Sequence, residues 1–394
     1  MANALLNVDK ITNAALVILH QKLNFVGSIN RSYDDSFAQE GAKIGSNLRI
    51  RLPNRYAVRV GPALSTQDVL ENSTSLAVAT QAGVDVNFTT AELAMNIIDF
   101  SAQVLEPAMA QLASYIESDA LNMVNDVYQQ VNGQGYSQTF KNVMLGRKGL
   151  VDALAPADDN RMIRLSTQDN VDLVDNLKGL FQSSTTIAKQ YSEGIMGKTG
   201  GFEFAENTLI PSFTRGAGAG YVVNGAGQTG ASLVVGTGTG AMNKGDTFTV
   251  AGVFRVHPET RLSTGALQQF VVTVAYAGGG GTVSIAPTII ISGPLQTVSA
   301  SPANSAVVTM NGGATVSLTN QQSIAYHRDA FTFASADLML PEGVHFAARK
   351  VMEGISMRIV RQYDINNDRM PARLDVLYGY KTIRPQLAVR LASN

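Results

Sequence analysis

The stretch Pro107-Ala-Met-Ala-Gln-Leu-Ala-Ser-Tyr-Ile-Glu-Ser-Asp-Ala-Leu-Asn-Met-Val-Asn-Asp-Val-Tyr-Gln-Gln-Val131 decides how the rest of the chain is organised. Apolar side chains recur in it every three or four residues, which places them along one face of an α-helix. The members of this apolar stripe are Met109, Leu112, Ile116, Ala120, Met123, Val127 and Val131. Gly133 follows the stripe, so the spacing predicts one helix of about seven turns, longer than ~30 Å at ~1.5 Å per residue.

The residues before this helix alternate between apolar and polar side chains. The alternation runs through Leu48–Leu52, Tyr56–Val60, Leu76–Thr80 and Val84–Phe88. A period of two is typical of strands with one apolar face, and the turn residues between them predict a long two-stranded excursion over 46–89. Because a lone hairpin is marginally stable in water, we expect a neighbouring chain to cover it.

Other helices are predicted on both sides of the central one. Leu5–Phe25 has apolar residues at helical spacing and predicts a short amphipathic helix in an N-terminal arm. Thr89–Glu92 has the spacing of a capping box, and Pro107 must kink the helix that begins there or start a new one. Further helices are expected near Ser166–Phe181 and Thr185–Ser192.

Residues 213–322 differ in composition from the rest of the chain. Gly, Thr, Val, Ser and Ala dominate there, and no helical period is visible. Strands are predicted at Thr247–Phe254, Phe270–Tyr276, Thr282–Ile291 and Ala306–Met310. Several short strands separated by turns indicate an inserted all-β barrel or sandwich.

After the β-rich segment the chain returns to a mixed pattern. Phe331–Leu340 and Ile355–Val360 are predicted to be core strands, and Arg373–Arg390 is predicted to be strand, bend and strand. The fold class is therefore α+β with an all-β insert. The predicted division of the chain is 1–45 (N-terminal arm), 46–89 (extended β-loop), 90–212 (central helix and core), 213–322 (insert) and 323–394 (completion of the core).

Composition excludes several classes of function. Only 15% of the 394 residues are charged, against ~25% in ordinary soluble domains, and the net charge is −1. A protein that holds nucleic acid tightly normally carries a basic excess. The absence of cysteine excludes disulfides, zinc–thiolate sites and cysteine nucleophiles. The apolar run at 14–19 is shorter than a signal-peptide core, and no run is long enough to span a bilayer, so we expect a cytosolic product without an anchor.

Four short motifs suggest chemistry, but each lacks its structural context. Gly225–Gly230 matches a dinucleotide fingerprint yet precedes a strand-like sequence, and Gly197-Lys198-Thr199 ends like a P-loop but follows a predicted helix. His327 and Asp329 could form an acid–base pair, but no placed nucleophile accompanies them, and a structural ion pair is favoured. Calcium-type ligands occur at Asp364, Asn366 and Asp368, where the expected glycine is replaced by arginine; a polar surface turn is the default interpretation.

The most informative charged set lies in the extended β-loop. Arg49, Arg51, Arg55 and Arg59 occupy alternate or nearby strand positions. They could form ion pairs between subunits, or they could lie on a solvated strand face. We predict them as assembly contacts, and we predict no catalytic residue, metal site or cofactor.

The order of these parts resembles the coat proteins of tailed bacteriophages with the HK97 fold, in particular P22-like coat proteins with an inserted domain. The resemblance covers nearly the whole chain. It rests on these stretches: 46–89 (extended loop), Pro107–Val131 (spine helix), Met242–Gly252 (strand–turn–strand in the insert), Ala325–Phe331 with Leu340–Gly343 (return to the core), and Tyr378–Pro385 (chain end).

The resemblance implies a major capsid protein without enzymatic activity. Its subunits would form hexamers and pentamers of an icosahedral head around double-stranded DNA, which they would not read by sequence. The arm is too short for a fused scaffolding domain, so a separate scaffolding protein is expected, together with a portal ring and room for a decoration protein. The protein would be made in the host cytoplasm and reside in the virion capsid.

Three alternatives stay open at this point. An encapsulin-like nanocompartment shell would share the fold but usually lacks the β insert. A secreted β-rich binding protein or adhesin would account for 213–322 but not for the long helix or the missing secretion signal. An enzyme using His327 and Asp329 would need an assembled constellation of reactive groups, which the sequence does not display.

Overall fold

The α+β class is confirmed in a computed structural model. The structure describes residues 23–32, 46–89 (without 57, 59, 60, 65, 67 and 69–71), 106–132, 135–177, 197–312, 317–352, 355–367 and 369–393. The helices predicted at Leu5–Phe25 and Thr185–Ser192 lie outside these residues, apart from 23–25, and so does the capping box beyond Thr89.

Three α-helices and nineteen strands make up the described part of the chain. The helices are α1 (Glu106–Leu121), α2 (Phe140–Asp152) and α3 (Thr167–Leu177). The strands are β1 (Ser46–Arg51), β2 (Ser73–Val78), β3 (Thr80–Thr89), β4 (Gln130–Asn132), β5 (Arg161–Leu165), β6 (Lys198–Thr199), β7 (Phe202–Glu206), β8 (Ser212–Thr214), β9 (Gly230–Val235), β10 (Thr247–Val256), β11 (Ser263–Val272), β12 (Gly281–Ile289), β13 (Val308–Met310), β14 (Thr319–His327), β15 (Phe331–Ala336), β16 (Phe346–Met352), β17 (Ile355–Arg361), β18 (Arg369–Thr382) and β19 (Ala388–Ser393). Short 3-10 turns occupy Val26–Ser28, Asn122–Asp126, Arg328–Ala330 and Pro385–Leu387.

The chain forms two compact units. The first unit comprises described residues from 1–51, 73–121 and 331–383. The second unit comprises those from 52–72, 122–330 and 384–394. Each unit therefore contains segments that are distant in sequence, so neither is complete until the chain has crossed between them.

The first unit is built around the long strand β18. One edge of β18 pairs with β3, and the other edge pairs with β17 and then with β15. Strand β16 lies beyond β17, and β1 pairs with β2 in a separate ladder. Gly379 sits where β18 crosses β2, and a Cβ at this position would lie 2.0 Å from the carbonyl oxygen of Ala77. Only glycine allows the two backbones to approach this closely.

The second unit contains a seven-stranded sheet in which β8 joins at the edge of β14. Its order along the sheet is β4-β19-β14-β5-β7-β6. Helix α2 packs on β19 through Gly146 and Gly149, whose Cα positions lie against the side chains of Leu391 and Val389. The sheet contains two parallel pairs, β19–β4 and β5–β7; β5 and β19 are mostly buried, whereas β7 alternates between buried and exposed side chains.

The β-rich segment forms its own sheet and its own apolar core. The sheet order is β13-β10-β11-β12-β9. The core consists of Tyr221, Val223, Leu233, Val235, Met242, Phe248, Val250, Val253, Phe270, Val272, Val283, Ile285, Ile289, Val298, Val308 and Met310. Strands β8 and β14 flank the segment and pair antiparallel, with Thr214 opposite Thr319. The chain therefore leaves the seven-stranded sheet and returns to it at adjacent positions.

The structure corrects the predicted length of the central helix. Helix α1 ends at Leu121, the next turn is a 3-10 helix over Asn122–Asp126, and Val131 lies in β4. The polar side chains of this turn compete for backbone hydrogen bonds, which disfavours a continuous α-helix. The apolar spacing persists because the 3-10 turn still buries Met123 and Val124.

Other elements differ from their predictions for reasons of local chemistry. The described residues of the predicted strand Tyr56–Val60 form no strand, and Tyr56 and Val58 are exposed. Helix α2 was not predicted, because Gly146 and Gly149 interrupt its apolar stripe. Its start is nevertheless marked by Thr139, whose hydroxyl accepts a hydrogen bond from the N–H of Asn142 at 3.3 Å. Within the described residues, no helix is long and apolar enough to cross a membrane.

Candidate functional site

The predicted arginine set is only partly assembled. Arg49 and Arg51 lie exposed on one face of β1, and Nε of Arg49 donates to Oγ of Ser73 on β2 at 2.7 Å. Arg55 is exposed in the strand-free segment that follows, and Arg59 lies outside the described residues. The structure therefore presents three of the four arginines on the surface, and their role in assembly stays a prediction.

The segment 23–32 is tied to the first unit by a buried carboxylate that the sequence analysis did not single out. Glu117 of α1 is 1% exposed. Its carboxylate accepts hydrogen bonds from the N–H groups of Phe25 and of Val26, the latter at 3.1 Å. Two orphan amides at the start of a 3-10 turn are thus satisfied by one charged group, which is a strong type of hydrogen bond. The interruption of an apolar helix stripe by a glutamate was the available signal.

Further contacts extend this attachment along β15. The ring of Phe25 packs edge-on against Phe331 with 5.6 Å between centroids. Asn30 pairs its backbone with Phe331 and Phe333, and the hydroxyl of Thr332 donates to the carbonyl of Asn30 at 2.9 Å. The segment 23–32 therefore forms a strap that is fixed at both ends, by α1 and by β15.

A buried charge cluster lies where the β-rich segment meets the seven-stranded sheet. Arg390 of β19 is fully buried, and its Nη2 donates to the carbonyl of Gly245 at 2.8 Å. Asp246 accepts hydrogen bonds from the N–H groups of Gly216 and Asn243. The guanidinium of Arg390 also lies 5.8 Å from the ring centroid of Phe213. The cluster therefore joins the insert to the seven-stranded sheet through the buried side chains of Arg390 and Asp246.

Burial shifts the titration of both members of this cluster. Desolvation raises the pKa of the Asp246 carboxyl, against the hydrogen bonds from Asn243 and Gly216 and the charges of Arg215 and Arg390. Desolvation also lowers the pKa of Arg390 to about 10, and the charges of Asp246 and Asp126 oppose that shift. Removal of one charge from a buried pair leaves the other uncompensated, so the cluster is structurally sensitive.

A hydrogen-bonded network extends the same junction to β4. The backbone N–H of Gln130 donates to Oε1 of Gln269 at 2.7 Å. Nε2 of Gln269 in turn donates to the backbone carbonyl of Gln130 at 3.0 Å. The hydroxyl of Thr247 donates to Oε1 of Gln130 at 2.8 Å, and Asn311 donates to Thr247. Strands β10, β11 and the loop after β13 are thereby held against the core sheet.

The motifs that suggested chemistry adopt structural roles. Nε2 of His327 lies 3.0 Å from Oδ1 of Asp158, and Nδ1 accepts the N–H of Asp329 at 3.2 Å. His327 therefore has two carboxylate neighbours, with Oδ1 of Asp158 at 3.0 Å from Nε2 and Oδ2 of Asp329 at 3.8 Å from Nδ1, which agrees with the favoured structural role of this pair. Gly225–Gly230 leads into β9 and not into a helix. Among the described residues, no group of three acidic or histidine side chains could hold a metal ion.

The remaining motifs are turns. Asp364 accepts hydrogen bonds from the N–H of Asn366 at 3.0 Å and from Nδ2 of Asn367 at 2.7 Å. These bonds form a polar turn between β17 and β18, and Asp368 lies outside the described residues. Lys198 and Thr199 form β6, which pairs with β7 in a tight hairpin.

The comparisons with known proteins assign a family. The family model described as P22 coat protein, gene protein 5, matches residues 28–392. The chain is similar to a structure from Mycobacterium phage Che8, with 11% identity over 94% of this chain and 90% of that chain and a TM-score of 0.46. It is similar to the capsid of Ralstonia phage GP4, with 8% identity over 95% of this chain and 92% of that chain and a TM-score of 0.45. It is also similar to the CUS-3 coat protein I-domain, with 30% identity over 23% of this chain and 92% of that chain and a TM-score of 0.19. No curated protein matches the chain.

Proposed function

We propose that this chain, which belongs to the P22 coat protein family, forms the hexamers and pentamers of an icosahedral head that encloses double-stranded DNA. The observation that supports this proposal is the family match over residues 28–392, which is nearly the whole chain. The P22-like major capsid protein predicted from the order of the parts is thereby confirmed, as is its place in the virion capsid. The nanocompartment shell and the β-rich binding protein receive no such support.

The surface of the second unit supports assembly with further copies. The segment 52–72 exposes Tyr56, Val58 and Leu64 by 58%, 89% and 86%. Exposed large apolar side chains at the end of a hairpin are typical of a surface that a partner covers. Within the unit this segment is linked to the insert, since Nη2 of Arg261 donates to the carbonyl of Tyr56 at 2.5 Å.

The arginine set extends this proposal to particular residues. Arg49, Arg51 and Arg55 are exposed, and Arg59 follows them in sequence. Ion pairs at such positions are individually weak, at roughly 0–1 kcal/mol each. In a closed shell the same weak contact is repeated many times, so we propose that these residues set the register between neighbouring subunits.

The five predicted segments remain our proposed organisation of the subunit. The pairing of β8 with β14 supports an insert that begins near residue 213 and ends near residue 322. The separate apolar core of that segment supports its independence as a folding unit. The strap at 23–32 supports an N-terminal arm that is anchored where it joins the core.

The proposed partners of the shell follow from its assembly. A separate scaffolding protein, a portal ring and packaged DNA follow from the way in which such heads are built, and a decoration protein could bind the outside. The net charge of −1 argues against tight binding of the packaged DNA through its phosphates. Synthesis in the host cytoplasm is part of the same proposal.

Electron microscopy tests the proposal directly. The full chain, purified with and without its scaffolding protein, should form closed shells or tubes tens of nanometres across, a scale set by the repetition of one subunit under symmetry. Reconstruction should resolve six-fold and five-fold clusters of this chain. A monodisperse monomer under every condition, with scaffolding protein included, would refute assembly into a head.

A further inference from the structure

A polar cavity lies at the free edge of the seven-stranded sheet, beside the hairpin of β6 and β7. Its volume is about 680 Å³. Its wall is formed by Arg147 of α2, the loop 157–159, Arg161 of β5 and the hairpin residues 198–203. All of these residues belong to the second unit. The cavity is distant in sequence from the arginine set and from the strap, so it is a separate feature of the surface.

Two guanidinium groups face this cavity without a carboxylate partner. Arg161 is 5% exposed, and its Nε and Nη2 donate to the carbonyl oxygens of Pro156 and Ala155, both at 2.7 Å. The third nitrogen, Nη1, has no hydrogen bond within the described part of the chain. Two neutral carbonyls therefore fix the orientation of the group while leaving its charge unbalanced.

Arg147 adds a second positive charge to the same wall. Its guanidinium carbon lies 3.6 Å from the position that a Cβ would take on Gly201, so the absence of a side chain there makes room for it. It makes no hydrogen bond or ion pair with the residues that the structure describes. Burial lowers the pKa of the Arg161 guanidinium, and the charge of Arg147 lowers it further. The charge of Asp158 acts in the opposite direction.

The carboxylates that line the cavity are directed elsewhere. Asp158 accepts hydrogen bonds from Asn160 and pairs with His327. Asp159 pairs with Lys198 at 3.2 Å on the surface, and Glu203 is exposed on β7. None of the three lies within ion-pair distance of either guanidinium. The wall thus carries two guanidiniums without an ion-pair partner among the described residues, together with three carboxylates.

We infer that this cavity receives a carboxylate side chain from a second copy of the chain, which bridges Arg147 and Arg161. The inference rests on the proposed assembly of the subunit. A guanidinium binds a carboxylate through paired N–H donors, and two guanidiniums can share one.

The acidic rim decides between this occupant and a nucleic acid. Duplex DNA carries one negative charge per ~1.7 Å of axis, so its backbone would bring several charges against Asp158, Asp159 and Glu203. A single carboxylate on a short side chain can pass between these residues. Three exposed carboxylates make no ion pair among the described residues and could supply it: Asp68, Glu259 and Glu342.

The test compares Arg147→Gln with Lys141→Gln in the full chain. Lys141 is an exposed lysine on the same helix, outside the cavity. Assembly is followed by light scattering against protein concentration, with scaffolding protein where the wild type needs it. We expect Arg147→Gln to raise the threshold concentration about tenfold or more, as one lost charge-assisted contact per subunit would. Lys141→Gln should leave the threshold unchanged.

Three further measurements separate a contact between copies from a structural role. Arg147 has no intramolecular partner among the described residues, so the melting temperature of the Arg147→Gln monomer should equal that of the wild type. Arg147→Lys keeps the charge but loses the planar fork and should give an intermediate threshold. The effect of Arg147→Gln should also shrink as salt screens the contact.

The possible results are distinguishable. An unchanged threshold for Arg147→Gln beside normal wild-type assembly would overturn the inference. Millimolar inorganic phosphate that stabilises the wild-type monomer but not Arg147→Gln, with unaltered assembly of both, would also overturn it and indicate a small-anion site. A wild-type chain that never assembles would instead refute the proposed function.

Discussion

Replacing Gly379 by alanine tests whether the close crossing of β18 and β2 determines the stability of the first unit. A Cβ on Gly379 would lie 2.0 Å from the carbonyl oxygen of Ala77 and 2.9 Å from the Cα of Val78. Both neighbours are backbone atoms, so no side-chain rotation relieves the clash. Because real Cβ contacts essentially never fall below 3.0 Å, the two strands must separate by at least about 1 Å.

The cost of that separation follows from what the crossing packs. Leu76, Val78 and Leu377 are all fully buried in one small apolar cluster next to the crossing. Moving β2 away from β18 loosens these contacts, and overpacking of a core by one group costs typically ~1–3 kcal/mol. Since the backbone itself must move, we expect Gly379→Ala to lower the free energy of unfolding by about 3 kcal/mol, the top of that range.

Urea unfolding followed by circular dichroism measures this change, and hydrogen exchange of peptides from Arg369–Thr382 assigns it to β18. Gly27→Ala is the matched control, because no atom lies within 4 Å of its added Cβ and its φ is not positive. We expect the control to stay within ~0.5 kcal/mol of the wild type. A Gly379→Ala chain that unfolds within the same margin would refute the steric argument.

Three further substitutions probe the buried polar groups. Glu117→Gln should weaken the strap by about 1–3 kcal/mol, because an amide cannot accept both N–H groups as a carboxylate does, and limited proteolysis should then cut 23–32 faster. Glu342→Gln, an exposed control in the same unit, should be cut at the wild-type rate, and equal rates for both variants would contradict the strap. Arg390→Met removes one of the two guanidiniums whose charges act on the buried Asp246, the other being Arg215, together with the hydrogen bond to the carbonyl of Gly245. It should lower the free energy of unfolding in urea by about 3 kcal/mol, and a loss below ~1 kcal/mol would contradict the junction's role. Burial raises the pKa of Asp169 above 3.8, its value in the unfolded chain, against hydrogen bonds from Ser323, Ser393 and Ser166. Between pH 3.8 and the pKa of Asp169 in the folded state, the folded chain therefore binds more protons than the unfolded chain. Stability accordingly falls as the pH rises from 3.8 through the folded pKa. Asp169→Asn should flatten this fall in unfolding free energies measured across pH, and an unaltered slope would contradict the assignment.

The local patterns of the sequence predicted the strands and helices that have one apolar face. Alternation over 46–89 predicted β1, β2 and β3; β1 and β2 each bury one face, and β3 alternates between half-buried and exposed side chains. The apolar spacing of α1 predicted its existence but not its end, since the 3-10 turn at Asn122–Asp126 still buries Met123 and Val124. Helix α2 escaped prediction because its buried face is made partly of glycines, which carry no hydropathy signal.

The candidate sites were less predictable because their partners are far apart in the chain. Glu117 meets Phe25 across about ninety residues, and Arg390 meets Gly245 across more than one hundred. A single charged residue within an apolar run, such as Arg390 in Leu-Ala-Val-Arg-Leu, indicates a buried role but not the partner. The family was predictable because it depends on the order of segments, which does not require knowledge of these pairs.

The low charge content of the chain and the location of its charges have a common consequence for assembly. Several charged groups already serve internal contacts, including Glu117, Arg390 with Asp246, and Arg358, whose Nη2 lies 2.7 Å from the buried Asp375. Few charges then remain to form contacts between copies, so those contacts must depend mainly on apolar and uncharged polar surface such as Tyr56 and its neighbours. Contacts of that kind are weakly screened by salt, whereas the few charged ones set register and orientation. Salt should therefore weaken shell formation only through its few charged contacts, and a substitution at one of them, such as Arg147→Gln, should both raise the assembly threshold and disturb the register between neighbours.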